Sequence, residues 1–154
     1  MDINGLIRRG VPIIRDPLHL HAYRRDLWPR DTLGWRNGGE PPDAPVVVAS
    51  PTRAEEVAEA IDWASEHGVT IVPYGAGSGV CGGARGRSGS LVIDLKRMNR
   101  ILSFDGKTRC VHVEAGILGQ HLEDQLAGAG WMTAHSLLVQ VPQLIRSHLV
   151  LAVS

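Results

Sequence analysis

A glycine-rich stretch over residues 75–89 most constrains what this chain can fold into, since seven of its fifteen residues are glycine. Ordering so many glycines costs backbone entropy, so an ordered stretch needs a compensating interaction. Where side chains are absent, successive backbone N–H groups can converge on one anion and bind phosphate without a cationic residue. The stretch therefore predicts a phosphate-binding loop, with a flexible surface loop as the alternative.

Three kinds of nucleotide site use glycines in this way. A P-loop closes with Gly-Lys-Ser/Thr, and the absence of lysine from residues 75–89 excludes it. A Rossmann fingerprint matches formally at Gly77, Gly79 and Gly82, but that motif must open a helix, and strand-like residues 91–95 follow too soon. The third kind, a strand–loop–strand turn whose amides wrap a dinucleotide pyrophosphate, fits the local sequence best.

The residues before the glycine stretch predict a strand–helix–strand unit. The apolar run 46–49 predicts a buried strand, and residues 69–73 predict the next one. Between them, Thr52 and Glu55 have the spacing of a capping box, and Gly68 is placed to end the helix. The predicted apolar face of this helix consists of Val57, Ile61 and Ala64, with Ala58 and Ala60 alongside. The unit is expected to be a right-handed parallel crossover.

The residues after the glycine stretch predict more strands and a second helix. Strands are expected at 91–95 and 101–104, followed by a hairpin turn and a return strand at 109–113. A helix is expected after Gly116, and a final short strand at 131–134. The apolar stripe of that helix consists of Leu118, Leu122 and Leu126. The fold class is therefore α+β, a small parallel βαβ unit plus a mixed sheet with helices.

Two segments flank this organised part. Residues 1–45 contain six prolines, which predicts an irregular N-terminal leader, packed on the domain surface by Trp28 and Trp35. Residues 137–154 contain apolar runs with no clear strand or helix period. We therefore predict one domain over residues 46–136, preceded by a leader and followed by an aberrant or truncated tail.

Composition narrows the class of protein. A net charge of zero gives no electrostatic reason for a nucleic-acid partner. No apolar run approaches the ~18 residues of a transmembrane segment, and the N-terminus lacks a secretory pattern, so we predict a cytoplasmic protein. Cys81 and Cys110 have no metal-site spacing and are expected to be free thiols. His19 and His21 lack a third ligand, so no metal site is predicted.

Several short motifs follow one another in a specific order and spacing. They are Pro45-Val46-Val47-Val48, Ser50-Pro51-Thr52 with Glu55-Glu56-Val57, Ile71 to Ser78, Leu91-Val92-Ile93-Asp94-Leu95 with Met98-Asn99-Arg100-Ile101, and Val113-Glu114-Ala115-Gly116. Together they resemble the FAD-linked oxidases, flavoproteins with a PCMH-type (vanillyl-alcohol-oxidase-like) FAD-binding domain. The resemblance spans roughly residues 20–136. It is closest to the alkyldihydroxyacetonephosphate synthase branch, through residues 112–123 and Ala134-His135.

The resemblance implies FAD as cofactor, with its pyrophosphate in the glycine loop. The residues that would line the cofactor are Pro73, Tyr74, Gly75, Ala76, Gly77, Ser78, Gly79, Val80 and His135. Some relatives attach FAD covalently through a histidine where this chain has Ser78, so non-covalent binding is implied. The resemblance also implies a homodimer in the parent family.

The activity implied by the resemblance has two forms. The synthase branch exchanges the acyl chain of acyl-dihydroxyacetone phosphate for a fatty alcohol in ether-lipid synthesis, without net redox change. Other branches are dehydrogenases of 2-hydroxy acids of the lactate or glycolate type. The substrate and the catalytic residues stay unknown at this stage.

The chain departs from the family pattern after Ser136. There the family continues with a second glycine-containing segment that completes the pyrophosphate site, whereas this chain reads Leu137-Leu138-Val139-Gln140. The change is what a frameshift or premature stop would produce, which makes a catalytically incompetent remnant the alternative function. Reading the encoding DNA past codon 136 in the other frames tests this hypothesis.

Charged residues near the motifs have two interpretations each. Glu114, at a strand end, has the chemistry of a general base, but the more ordinary role is a carboxylate that caps a turn. Arg85 and Arg87 lie in the second half of the glycine stretch and could meet phosphate, although a solvated position is the simpler expectation.

Overall fold

The computed structural model describes residues 2–39, 44–133 and 148–153. The chain divides into two compact units, Met1–Arg97 and Met98–Ser154, and the described strands of each unit form a four-stranded sheet. The sheet of the first unit contains the parallel βαβ strands with one antiparallel edge strand, the sheet of the second is also mixed, and each unit has helices. The predicted α+β class is therefore confirmed.

The described elements of the first unit alternate between helices and short strands. The helices are α1 (Asn4–Arg8), α2 (Pro17–Ala22), α3 (Pro29–Arg36) and α4 (Ala54–Glu66). The strands are β1 (Ile13–Ile14), β2 (Val47–Ala49), β3 (Thr70–Tyr74) and β4 (Ser90–Asp94). The sheet order is β1-β2-β4-β3, with β2 and β3 both parallel to β4 and β1 antiparallel to β2. The predicted crossover thus joins β2 to β3 with β4 between them.

The sheet of the first unit buries residues on both faces. One apolar cluster combines α1 and α4 with the side chains of Val47, Ala49, Leu91 and Ile93. The other combines α2 and its C-terminal neighbour Tyr23 with Val48, Val72 and Val92. Because a parallel sheet covered on both faces needs apolar side chains at every position, its strands read as continuous apolar runs. This is why 46–49 and 91–95 were identifiable in the sequence.

The leader is more regular than its prolines predict. Residues 1–45, expected to be irregular, contain α1, β1, α2 and α3. Pro17 and Pro29 occupy first helical positions, where a missing N–H removes no hydrogen bond and the fixed φ favours the helix. Asp16 completes the start of α2 by accepting the backbone N–H of His19 at 3.1 Å. The prolines therefore begin helices here instead of preventing them.

Helix α4 starts and packs differently from the prediction. Thr52 donates its N–H and its hydroxyl to Glu56 Oε2, at 2.8 and 3.2 Å, so the carboxylate that reaches back is Glu56 and not Glu55. The buried face includes Trp63, whereas Ile61, expected in the core, is 44% exposed. Gly68, with φ +62°, follows the end of α4 as predicted.

Trp63 sets that face because its ring packs on the neighbouring helix α1. A Cβ on Gly5 would lie 2.8 Å from Trp63 Nε1, so this close approach requires glycine. Trp63 Nε1 also donates to the carbonyl of Asp2 at 3.2 Å. A ring of this size makes more buried contacts than an isoleucine one half-turn away.

The described elements of the second unit are strands and one helix: β5 (Ile101–Asp105), β6 (Cys110–Val113), α5 (Gly119–Ala127), β7 (Met132–Thr133) and β8 (His148–Val153). The strand order is β5-β6-β8-β7; β5 and β6 form the predicted hairpin, and β8 is parallel to β6 and β7. The core contains Val111, Val113, Leu122 and Leu126, while Leu118, predicted in the stripe, precedes the helix and is 38% exposed.

Strand β8 lies within residues 137–154, where the sequence shows no clear strand or helix period. Both of its neighbours run parallel to it, and parallel strands often read as continuous apolar runs without alternation of polar and apolar residues. The run from His148 to Val153 therefore lacks the period-two signal by which strands are usually recognised. The domain boundaries at 45 and 136 remain predictions.

None of the helices within the described residues is long and apolar enough to span a bilayer.

Candidate functional site

The glycine stretch leaves the carboxyl end of β3 and returns to the adjacent parallel strand β4. No helix forms within residues 75–89, all of which the structure describes. A Rossmann site needs a helix whose N-terminus faces the pyrophosphate, so that interpretation is wrong for this loop. The connection is the strand–loop–strand arrangement that the sequence favours, and we call it the glycine loop.

Most amides in the first half of the glycine loop have no acceptor among the described residues. Gly77, Gly82 and Gly89 have φ of +67°, +79° and +78°, which other residues rarely adopt. Among the hydrogen bonds of the described residues, none uses the N–H groups of residues 76–83 as a donor. Consecutive free amides in a turn with positive φ angles form an anion-binding concavity. The residues present therefore fit a phosphate or pyrophosphate group.

Tyr74 and Gly77 are in close contact where the loop begins. Tyr74 ends β3 and is partly buried, and a Cβ added to Gly77 would overlap its phenol oxygen. Gly77 is thus required twice, by its positive φ and by this contact. Burial, together with the nearby charge of Asp94, raises the pKa of Tyr74, so its hydroxyl stays protonated.

A buried carboxylate holds the aromatic side chains next to the loop. Asp94, at the end of β4, is 4% exposed and accepts a hydrogen bond from the Tyr23 hydroxyl at 2.7 Å. Lys96 Nζ lies 3.3 Å from the same oxygen and 5.3 and 5.4 Å from the ring centroids of Tyr23 and Tyr74. Burial and the hydrogen bond to Asp94 raise the pKa of Tyr23, which keeps it a donor.

The predicted cofactor residues lie together in one segment. Pro73 and Tyr74 are the last residues of β3, and residues 75–80 are the first part of the glycine loop, with Ser78, Gly79 and Val80 exposed. His135 lies outside the described residues. Cys81 and Cys110 are both free cysteines, as expected. Within the described parts of the chain, no group of three His, Cys, Asp or Glu side chains is placed to hold a metal.

Sequence reasoning missed the leader residues that contact the glycine loop. The backbone of Leu27 donates to Gly79 O at 2.8 Å, and Gly86 donates to Tyr23 O at 2.7 Å. Arg85, expected to be solvated or to meet phosphate, instead pairs with Asp31 and has a side chain only 15% exposed. The available signal was Trp28-Pro29 followed by Asp31, which is typical of a helix start with an acidic first turn.

Glu114 has the capping role rather than that of a base. Its carboxylate is 4% exposed and accepts the backbone N–H of Arg100 at 2.8 Å and two guanidinium bonds at 3.1 and 2.6 Å. The Arg100 guanidinium holds the pKa of Glu114 below its usual value. A carboxylate so paired is a weak proton acceptor at neutral pH.

Comparison with protein families matches residues 45–150, more than half of the chain, to the family described as FAD-binding domain. The chain belongs to this family. FAD is accordingly the cofactor of this FAD-binding domain.

Curated relatives of this FAD-binding domain include two kinds of flavoprotein. A D-2-hydroxyglutarate dehydrogenase of Xanthomonas citri pv. viticola is 34% identical over 114 residues, which covers 72% of this chain and 22% of the relative. An alkyldihydroxyacetonephosphate synthase of Trypanosoma brucei brucei is 32% identical over 136 residues, covering 79% and 21%. The chain therefore spans about a fifth of the length of either relative.

Solved structures agree with this family. A structure of alkyldihydroxyacetonephosphate synthase superposes with a TM-score of 0.76 at 26% identity, covering 89% of this chain and 29% of that one. A carbohydrate oxidase from Microdochium nivale shares the fold with a TM-score of 0.69 at 24% identity, covering 86% of this chain and 27% of that one. The resemblance to FAD-linked oxidases inferred from the sequence motifs is confirmed.

Proposed function

We propose that the glycine loop binds the pyrophosphate of FAD non-covalently, with Pro73, Tyr74 and residues 75–80 lining the cofactor. The observation that carries this proposal is the run of amides at residues 76–83 that donate to no acceptor among the described residues, in a loop between two parallel strands. Ser78 offers no nucleophilic ring nitrogen for a covalent link. His135 is proposed as a further cofactor residue from the family resemblance alone.

The activity that we propose is that of an alkyldihydroxyacetonephosphate synthase-like transferase in lipid metabolism. Both the Trypanosoma brucei relative and the superposed solved structure carry that name, and the alignments cover 79% and 89% of this chain. In such an enzyme FAD supplies the electron-accepting chemistry, while the residues of this chain bind and orient it. A cytoplasmic location is proposed with it, supported by two free cysteines.

A dehydrogenase of 2-hydroxy acids is the second candidate function. It is favoured by the 34% identity to D-2-hydroxyglutarate dehydrogenase over 72% of the chain. Anaerobic addition of D-2-hydroxyglutarate to the FAD-loaded protein separates the two candidates. A dehydrogenase would bleach the visible flavin absorbance, and photoreduction of the same sample verifies that the flavin can be reduced. A transferase would leave the absorbance unchanged and exchange the acyl chain of acyl-dihydroxyacetone phosphate for a fatty alcohol.

Substitution of Gly77 tests the proposed pyrophosphate site. We expect Gly77→Ala to weaken FAD binding by about tenfold or more, because a Cβ there overlaps Tyr74 and disfavours the positive φ that aims the amides. The measurement is a titration of the purified chain with FAD, followed by the change in flavin fluorescence.

Gly10→Ala is the matched control for this titration. Gly10 has a similar φ of +76°, but a Cβ there meets no atom within 4 Å and lies outside the glycine loop. It therefore carries the same backbone strain without touching the proposed site. Equal FAD affinity in Gly77→Ala and Gly10→Ala would show that the loop does not bind the pyrophosphate.

A further inference from the structure

The backbone of the leader forms hydrogen bonds with both halves of the glycine loop. Leu27 N–H donates to Gly79 O at 2.8 Å in the first half of the loop, and Gly86 N–H donates to Tyr23 O at 2.7 Å in the second half. Gly86 is buried, and a Cβ there would lie 2.9 Å from both Tyr23 O and a methyl group of Val92. The leader backbone thus contacts two points of the loop, Gly79 within the run of amides at 76–83 and Gly86 after it.

Asp26 adds a buried carboxylate between these points. The residue is 4% exposed and accepts the N–H of Trp28 at 3.0 Å and that of Ala84 at 3.5 Å. A Cβ on Gly79 would lie 3.5 Å from its Oδ2. Asp26 therefore joins the leader to the loop from a position with little access to water.

An ion pair and an aromatic ring complete the contact. Arg85 Nη1 donates to both carboxylate oxygens of Asp31 at 2.6 Å, and the two side chains are 15% and 11% exposed. The guanidinium lies 5.0 Å from the ring centroid of Trp28, within the range of a cation–π contact. The same ring covers Gly82, where a Cβ would lie 2.7 Å from its edge, so a side chain at this position would displace the ring.

We propose that residues 23–31 act as a clamp that holds the glycine loop in its anion-binding shape, with Asp31, Arg85 and Trp28 as positioning residues for FAD. The proposal rests on the glycine loop being the pyrophosphate site. A loop with seven glycines has a large conformational entropy. Contacts within the protein order the loop before FAD arrives. FAD binding then does not have to order the loop, so its entropic cost is lower.

The clamp gives Arg85 a role that needs no contact with a phosphate. Its Nη1 is committed to Asp31, and its planar group rests against Trp28. Fixing the second half of the loop orients the amides of residues 76–83, which are the proposed anion ligands. We therefore expect the clamp residues to affect FAD affinity indirectly, through the order of the loop.

The test removes the ion pair without leaving an unpaired buried charge. The double variant Asp31→Asn/Arg85→Gln neutralises both partners at similar volume, which avoids the penalty of an isolated buried charge. The control is Arg9→Gln/Glu66→Gln, which removes an ion pair of the same unit that does not involve the loop. Asp31→Glu, which keeps the carboxylate, tests whether a conservative change preserves the function.

The first measurement is amide hydrogen exchange of the full chain without FAD. We expect faster exchange in the clamp variant at the amides of Leu27, Ala84 and Gly86, whose hydrogen bonds join the leader to the loop. Exchange at β2 and β4 should be unchanged, and the control should leave these three amides as in the wild type. Wild-type exchange at these three amides in the clamp variant would overturn the proposal. Because FAD is absent, this measurement judges the clamp even if the proposed pyrophosphate site is wrong.

The second measurement is the Kd for FAD by fluorescence titration. We expect the clamp variant to bind about tenfold more weakly, within the usual range for coupling between two positions, while the control and Asp31→Glu stay near wild type. Faster loop exchange with unchanged FAD affinity would overturn the positioning role. A wild-type chain that binds no FAD would instead refute the proposed function, with the exchange result still deciding the clamp.

A single substitution covers the case in which the double variant does not fold. Trp28→Leu removes the ring that contacts Arg85 and Gly82 but keeps an apolar side chain, whereas Trp28→Phe keeps an aromatic face. We expect Trp28→Leu to raise loop exchange and Trp28→Phe to restore most of the protection. Equal exchange in the two Trp28 variants and the wild type would count against the clamp.

Discussion

At the scale of single residues, Glu114 is a buried acid whose carboxylate is held by hydrogen bonds within the fold. At the end of β6, its carboxylate accepts three hydrogen bonds from Arg100. Those from the guanidinium are the main cause of its lowered pKa. Its pKa is lowered in the folded protein relative to the unfolded chain, where a glutamate titrates near pH ~4.3. The folded state therefore binds this proton more weakly than the unfolded state does.

This difference predicts an acid-sensitive contribution to stability. The contribution of a depressed carboxylate is fully present above the unfolded pKa and is lost as pH falls through the folded pKa. We expect Glu114→Gln to lower the free energy of unfolding by about 1–2 kcal/mol at pH 7 and to flatten its decline below pH ~5. Urea unfolding from pH 7 to 3, compared with wild type, measures both effects. Parallel pH profiles for the two proteins would contradict the prediction.

Some of the site could be predicted at this scale and some could not. The strand–loop–strand shape of the glycine loop was predictable because glycines are favoured where the backbone adopts a positive φ. The partners of Arg85 and Asp94 were not, since Asp31 is 54 residues from Arg85 and Tyr23 is 71 residues from Asp94. An ion pair between distant residues leaves no local pattern in the sequence.

At the scale of elements, helix α4 shows what periodicity can and cannot determine. The helix itself and its end at Gly68 followed from local signals, but the buried face was rotated from the predicted one. Val57, Ile61 and Ala64 have helical spacing, and so do Ala60, Trp63 and Ala64. The choice between these faces depends on the neighbouring helix α1, where Gly5 leaves space for an indole ring.

Two substitutions in α4 distinguish these faces experimentally. We expect Trp63→Ala to destabilise the chain by about 3–5 kcal/mol, because it empties a fully enclosed site, and Trp63 is only 1% exposed. Ile61→Ala, at the position predicted to be in the core, should change stability by about 0.5 kcal/mol or less, since this side chain is 44% exposed. Guanidinium unfolding of both variants gives the comparison. A larger effect of Ile61→Ala would favour the face predicted from the sequence.

At the scale of the whole molecule, the sequence predicted the fold class and family but not where the boundary between the two units falls. It falls between Arg97 and Met98, in the connection between the strands predicted at 91–95 and 101–104. Unit boundaries depend on where long-range contacts become sparse, and a turn sequence does not record this. The parallel arrangement of β8 was equally hidden, because its partners β6 and β7 lie well before it in the chain.

Each unit has its own apolar core, which predicts how the molecule responds to core substitutions. Trp63 belongs to a cluster formed by residues of the first unit, and Leu122, which is 2% exposed, to a cluster formed by residues of the second. Local opening depends on the contacts of the segment that opens. We therefore expect Trp63→Ala to accelerate amide exchange mainly in β2, β3 and β4, and Leu122→Ala to do so mainly in β5 and β6.

The two variants control for each other in a single exchange experiment on the full chain. Because both are large-to-small changes at enclosed positions, general destabilisation would affect both units alike in either variant. Reciprocal patterns would show that the cores open separately, so that the glycine loop and its clamp depend on the first core. Identical patterns in the two variants would mean that the chain unfolds as one cooperative body. Loop exchange in the clamp variants would then have to be compared with the global free energy of unfolding of each variant.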